Sequence, residues 1–361
     1  MAWQPPQDPD RPHCPYMPGF VMQITEHEPP PPFGPNGYPR GTRRHPSEAW
    51  LKGTPQSQQV LENPPQDTQW RSSIPPRTAV LKIINSIAVG QDRDAQLVAC
   101  QILIRGLEKP YTVTAKIYDS LYYSVCDTLV QSVPRDVANR ADMNYSREAA
   151  TYRHLQKTKH LQKPGFAPEY HGSWTFDLDL IWQGKQHKRS IRLILIEYLH
   201  GSSIQDLYTH KSREVRDALH YDEAYRLGVL AELADGVVKQ YHAGVNQRDL
   251  APRNVMLVPS PQGNTSQHSL PRVVLIDYNI AVVFEHTKYG RHRVQDLSFP
   301  LNPAQFFWAN GFLEFYGWAP VEWYERSQGK QSYRKWLLAK FGGNNASHFA
   351  PIEKKLELDY W

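Results

Sequence analysis

The sequence predicts an α+β protein in which an N-terminal antiparallel sheet lobe carrying one helix precedes a reduced, mainly helical C-terminal lobe. Two observations predict it. β-branched and apolar runs crowd the stretch from residue 78 to residue 119 and return between 166 and 201, with one helical pattern between them. A longer helical pattern at 221–244 follows, and an aromatic-rich, helix-compatible region lies beyond residue 300. Strands followed by helices, rather than alternating βα units, indicate segregated layers.

The first 76 residues hold 18 of the 30 prolines, among them the run "EPPPPFGP" at 28–35. Proline fixes φ and removes a backbone donor, so residues 1–76 read as an irregular arm. The arm is a candidate partner-binding or lobe-wrapping segment, with Trp3, Trp50 and Trp70 as candidates to pin it to the main domain, and a disordered tail is the alternative. Residues 77–361 read as that domain, divided near residue 200.

"TAVLKIINSIAV" (78–89), "QLVACQILI" (96–104) and "YTVTAKIYD" (111–119) are bounded by turn signals and predict three successive strands. "YSREAATYRHLQK" (145–157) spaces Ala149, Tyr152 and Leu155 as one helix face, with Ser146 as a candidate cap. "FAPEYHGSW" and "SIRLILIEYLHG" predict two further strands. The helix at 221–244 is expected to end at Gly244. "RVVLIDYNIAVV" (272–283) reads as a strand broken at Asp277, and "PSPQGNTSQHSLP" (259–271) as a long hairpin loop. "FFWANGFLEFYGWAPVEWY" (306–324) is aromatic enough to be core or, if exposed, a partner-binding patch.

Composition excludes several classes. The 41 basic and 36 acidic residues are mixed, leaving a net charge of +5 and no dense Lys/Arg run. Neither a nucleic-acid nor a membrane-surface footprint is expected. Three cysteines are too few and too scattered for a disulfide framework or zinc site, and they suit a reducing compartment. With no secretory leader pattern and no run of eighteen apolar residues, a cytoplasmic or nuclear protein is expected.

Phosphoryl transfer from a nucleotide needs a cation on the phosphates, oxygen ligands for magnesium and a carboxylate to orient the attacking hydroxyl. Lys116 lies in "TAKIY" on the third predicted strand, where burial demands a counter-charge. Glu148, on the following helix, is the natural partner. In "NQRDLAPRNVML" (246–257), Asp249 and Asn254 stand five positions apart in a loop, and Asp277 ends an apolar run. Taken singly, Asp249 reads rather as a cap, Asn254 as a turn residue and Asp277 as the start of a hairpin.

Jointly they resemble a known pattern. "TAKIY", "REAATYRHL", "LILIEYLHG", "QRDLAPRNVML" and "LIDYN" resemble, in order, the strand lysine, helix glutamate, hinge, catalytic loop and metal-binding triplet of the protein kinase superfamily. The resemblance spans roughly residues 80–285. Within the superfamily the chain looks most like kinase-like proteins of filamentous fungi, a group that carries no substrate with it. The resemblance implies a protein-kinase-like two-lobed fold binding ATP and Mg²⁺. Lys116 would contact the phosphates and pair with Glu148; Asp249 would be the catalytic carboxylate; Asn254 and Asp277 would hold Mg²⁺. Backbone groups of Glu197 and Leu199 would meet the adenine, with Ile196 at the rear of its pocket. Arg253 resembles the phosphate-contacting arginine of the "RDLAARN" form of the loop, and Arg248 stands where many kinases receive an activation-loop phosphate. The implied activity is ATP/Mg-dependent transfer of the γ-phosphate to a hydroxyl of a protein or small molecule. The alternative is a catalytically weak or inactive pseudokinase acting as a scaffold or regulatory module.

The pattern is not followed throughout. No G-x-G-x-x-G precedes Lys116; "SIAVGQDRDAQLVACQ" offers Gly90 alone. Gln247 replaces the usual histidine before Arg248, and "DYN" replaces Asp-Phe-Gly. Lys116 and Glu148 are separated by 32 positions, Asp249 and Asp277 by 28, and 84 residues follow Asp277, whence the expectation of a reduced second lobe.

Overall fold

The computed structural model describes residues 3–91, 93–126, 133–158, 165–209, 217–259, 269–309, 311–324 and 328–352. The chain divides into two compact units, one formed by Met1–Arg153 and Glu169–Tyr198, the other by His154–Pro168 and Leu199–Trp361.

The first unit is built on a closed six-stranded antiparallel barrel. Its strands are β1 (Val21–Glu26), β2 (Thr78–Ala88), β3 (Gln96–Ile104), β4 (Tyr111–Tyr118), β5 (Tyr170–Trp182) and β6 (Lys185–Glu197), in the spatial order β1-β2-β3-β4-β6-β5. Alternation drives the pairing: Ala79, Leu81 and Ile83 on β2 are buried while their neighbours face water. The β5–β6 hairpin pairs Trp182 with Lys185 across Gln183 and Gly184, both at positive φ, as a two-residue turn matched to strand twist requires. Helix α3 (Val137–Lys157) follows β4. It begins well before the predicted start, and Asp136 caps it by accepting from the Asn139 N–H at 3.0 Å. Ser146 instead sits inside the helix, where its hydroxyl donates to the Met143 carbonyl at 3.1 Å.

The arm differs from its expectation. It supplies β1, which closes the barrel by pairing with β2 and β5, together with two short helices, α1 (Glu48–Gly53) and α2 (Gln56–Glu62). The reason is local: "VMQITE" contains no proline, and Met22 and Ile24 alternate with exposed residues to face the core. The indole N–H groups of Trp3 and Trp70 do not pin the arm to the main domain, because they donate to the Lys52 and Ile74 carbonyls within the arm. Tyr16 takes that role, donating to buried Asp119 at 2.5 Å, and Arg189 binds the same carboxylate.

In the second unit, α4 (Glu223–His242) buries Val229, Leu230, Leu233 and Val238. It stops at Gly244, whose φ of +98° and N–H bond to the Tyr241 carbonyl at 3.1 Å form a left-handed cap. β7 (Ser202–Ser203), β9 (Val255–Val258) and β10 (Arg272–Leu275) make a three-stranded sheet, and β8 (Val245–Asn246) pairs with β11 (Val282–Val283). β9 and β10 pair antiparallel from Val258↔Arg272 to Val255↔Leu275, while most of the predicted hairpin loop lies outside the described residues. The aromatic stretch packs as core: Phe307, Trp308, Phe312, Phe315 and Trp318 are buried between α5 (Pro303–Phe306) and α6 (Gln328–Phe341) in the chain. No helix among the described residues is long and apolar enough to cross a membrane.

Candidate functional site

Within the first unit, β4 presents Lys116 and Tyr118 on the same face, two residues apart. Lys116 Nζ lies 2.6 Å from Glu148 Oε2, and the Tyr118 hydroxyl donates to that same oxygen at 2.7 Å. The glutamate side chain is 1% exposed and the lysine 12%, so the charges are compensated by each other and by the phenol rather than by bulk water. Tyr118 was not singled out from the sequence, although its spacing from Lys116 is the signal that places it there.

Ile196 is buried at the end of β6, opposite Tyr170 and Thr114. The Glu197 N–H is taken by the Glu169 carbonyl at 2.8 Å. The β2–β3 turn is pinned. The buried Gln96 side chain accepts from the Gly90 N–H at 2.8 Å and donates to the Gly90 carbonyl at 2.9 Å. Both backbone groups of the turn's glycine are therefore engaged.

Leu199 belongs to the second unit, where its carbonyl accepts from the Gly201 N–H at 2.9 Å. That unit also holds the loop residues, and there the side chains converge. Asn254 donates through Nδ2 to the Asp249 carbonyl at 2.9 Å and to its Oδ2 at 2.8 Å; Arg253 binds Oδ1 at 2.6 Å. Both carboxylate oxygens are thus oriented while keeping lone pairs for a further donor. The Ile276 N–H bonds the Asn254 carbonyl at 2.9 Å, extending the β9–β10 register by one residue, so that Asp277 is next in the chain after the residue opposite Asn254. Gln247 closes the arrangement: its Oε1 accepts from the Asp249 N–H at 2.7 Å, and its Nε2 donates to the Ile276 and Asp277 carbonyls at 3.1 and 2.9 Å. Gln247 thus ties the segment that carries Asp249 to the one that carries Asp277.

Arg248 and Asp277 have φ values of +70° and +61°, in the left-handed region. Such residues cost about 1–3 kcal/mol each and persist where surrounding bonds over-determine them, which is commonest at functional sites. As for metal, no group of three or more His, Cys, Asp or Glu among the described residues is placed to hold an ion. The donor set of Asp277 and Asn254, one carboxylate and one amide oxygen, still fits a hard cation that takes its other ligands from phosphate and water.

No protein-family model matches the chain, and no curated protein does. Among solved structures, one described as the crystal structure of BubR1 kinase domain is similar at a TM-score of 0.37 and 10% identity, over 61% of this chain and 51% of that one. The chain thus aligns with about half the length of that weak structural neighbour.

Proposed function

We propose that the chain is an ATP/Mg-dependent phosphotransferase of protein-kinase-like, two-lobed architecture, acting on a hydroxyl of a protein or small molecule. The observation that carries the reading is the loop cluster, in which Asp249, Asn254 and Asp277 are drawn together by Gln247 with two non-glycine residues held left-handed. The buried Lys116–Glu148 pair supports it independently.

In this reading Lys116 holds the α- and β-phosphates, and Asn254 and Asp277 hold magnesium, which when bound screens the phosphate charge. Asp249, oriented by Arg253 and Asn254, accepts the hydrogen bond of the acceptor hydroxyl and aligns it for attack. Glu197 and Leu199 meet the adenine through backbone groups, and Ile196 lines its rear wall.

A second reading, a nucleotide-binding scaffold without turnover, is favoured by Gln96 occupying both backbone groups of Gly90, where phosphates would need open N–H donors. Calorimetry with ATP and Mg²⁺, followed by ATP turnover over protein and small-molecule hydroxyl panels, separates the two. Magnesium-dependent binding with turnover supports the enzyme and binding alone the scaffold, while no binding removes both.

A further inference from the structure

The arm grips α3 along its length within the first unit. The Arg43 guanidinium lies 3.3 Å from the buried Asp142 carboxylate, whose Oδ2 also accepts from the Gln66 N–H at 2.9 Å. One turn on, Tyr145 Oη lies 2.7 Å from His27 Nδ1. The hydroxyl of Thr68 donates to the Glu28 carbonyl and faces His27 Nε2 at 3.3 Å. Because Thr68 spends its proton on that carbonyl, Nε2 carries the ring hydrogen and Nδ1 accepts from Tyr145. Burial, aided by Arg192 and Arg153, pushes His27 down to about 3, which keeps the ring neutral.

Further along, Arg147 is fully buried. It donates to the carbonyls of Phe33 and Pro35 at 2.9 and 3.2 Å, and its guanidinium lies 5.2 Å from the centre of the Tyr38 ring. Gly34 is required at this contact: its φ is +104°, and a Cβ there would meet Arg147 Nη2 and Met143 Sδ at 2.6 Å. Arg153 completes the series with a two-pronged pair to Glu28, at 2.5 and 3.2 Å.

These holds reach the Lys116–Glu148 pair through one ring contact. Tyr145 packs edge-on against Tyr118 at 5.5 Å between centroids, and Tyr118 donates to Glu148. We infer that residues 27–68 are a built-in brace that sets the position of α3, with Tyr145, Arg147 and Arg153 as positioning residues for Glu148. The inference deepens the phosphotransferase reading and rests on it for its functional meaning. The proline run suits the task, since a chain with fixed φ and few donors presents carbonyls to the helix arginines at little entropic cost.

The test uses the full chain with Glu28→Gln, which breaks the partly exposed pair to Arg153, and Gly34→Ala, which drives the arm off Arg147. Gln58→Ala, on the exposed side of α2, is the control. Amide exchange across residues 142–153 and acetylation of Lys116 by an amine-reactive ester are read together, with Mg-ATP affinity as a third measurement. A lysine held against a carboxylate acylates slowly, so the brace predicts a rise of about threefold or more in Lys116 labelling alongside roughly tenfold faster exchange in both variants. Mg-ATP affinity is expected to fall about fivefold. Faster α3 exchange with unchanged Lys116 labelling overturns the inference, as does no change in either. Should Gly34→Ala not fold, Glu28→Gln alone decides. A wild-type protein that binds no Mg-ATP defeats the nucleotide reading, while the labelling result still judges the brace.

Discussion

Gln247 donates through Nε2 to the Asp277 carbonyl at 2.9 Å while its Oε1 holds the Asp249 N–H at 2.7 Å, so one buried amide fixes both segments of the candidate site. Gln247→Leu is close in size and removes all three hydrogen bonds of the buried amide. A loss of about 1–3 kcal/mol is expected in denaturant unfolding. Mg-ATP affinity should fall with it; an unchanged affinity would show that Asp277 is held without Gln247.

Asp277 separates charge from conformation. Its φ of +61° is a region that asparagine enters nearly as readily as aspartate, whereas alanine does not. Asp277→Asn should therefore melt within about 2 °C of wild type yet lose magnesium-dependent nucleotide binding. Asp277→Ala should lose both. Asp249→Asn, by contrast, is expected to keep nucleotide binding and lose turnover.

Lys116, Glu148, Asp249, Asn254 and Asp277 can be named as candidates without coordinates, because their types and order carry the resemblance. Their supports were harder to see. Gln247 registered as a departure from histidine, since a sequence shows a missing ring but not that an amide can span two segments. Tyr118 was hidden among apolar strand residues, although its two-residue spacing from Lys116 puts both on one face. Most of the arm is irregular, as its proline count predicts, but that count describes a whole segment while pairing is decided over six residues such as Val21–Glu26. The early start of α3 was missed because Asp136, its cap, follows a proline-containing stretch that reads as loop.

The Lys116–Glu148 pair makes a stability prediction distinct from catalysis. Lys116→Met takes the ammonium away from a 1%-exposed carboxylate that also accepts from Tyr118, and removing one partner of a buried pair typically costs about 3–5 kcal/mol. Adding Glu148→Gln removes the stranded charge and should restore at least half of the loss. Both variants should bind Mg-ATP more weakly than wild type. A double variant no more stable than Lys116→Met would mean that Glu148 is compensated by other groups.

The brace should respond to acid in a defined direction. His27 has an ordinary value of 6.5 and is pushed to about 3 in the fold by burial, then by Arg192 and Arg153. Between these values the unfolded chain binds the extra proton, so this group's contribution to stability is full above about pH 6.5 and is lost as pH falls toward 3. Asp142 opposes it. Burial, countered by Arg43, raises it from 3.8 to about 6, so in that window the folded state holds the proton and the contribution falls as pH rises. The two slopes largely cancel in the wild type between pH 4 and 6. Asp142→Asn should therefore lose stability more steeply on acidification than wild type, by up to about 1.4 kcal/mol per pH unit, and His27→Gln should gain stability relative to wild type over the same range. Urea unfolding at half-unit steps from pH 4 to pH 7 measures both differences. Parallel profiles for the two variants would remove His27 and Asp142 as the groups that make the hold of the arm pH-dependent.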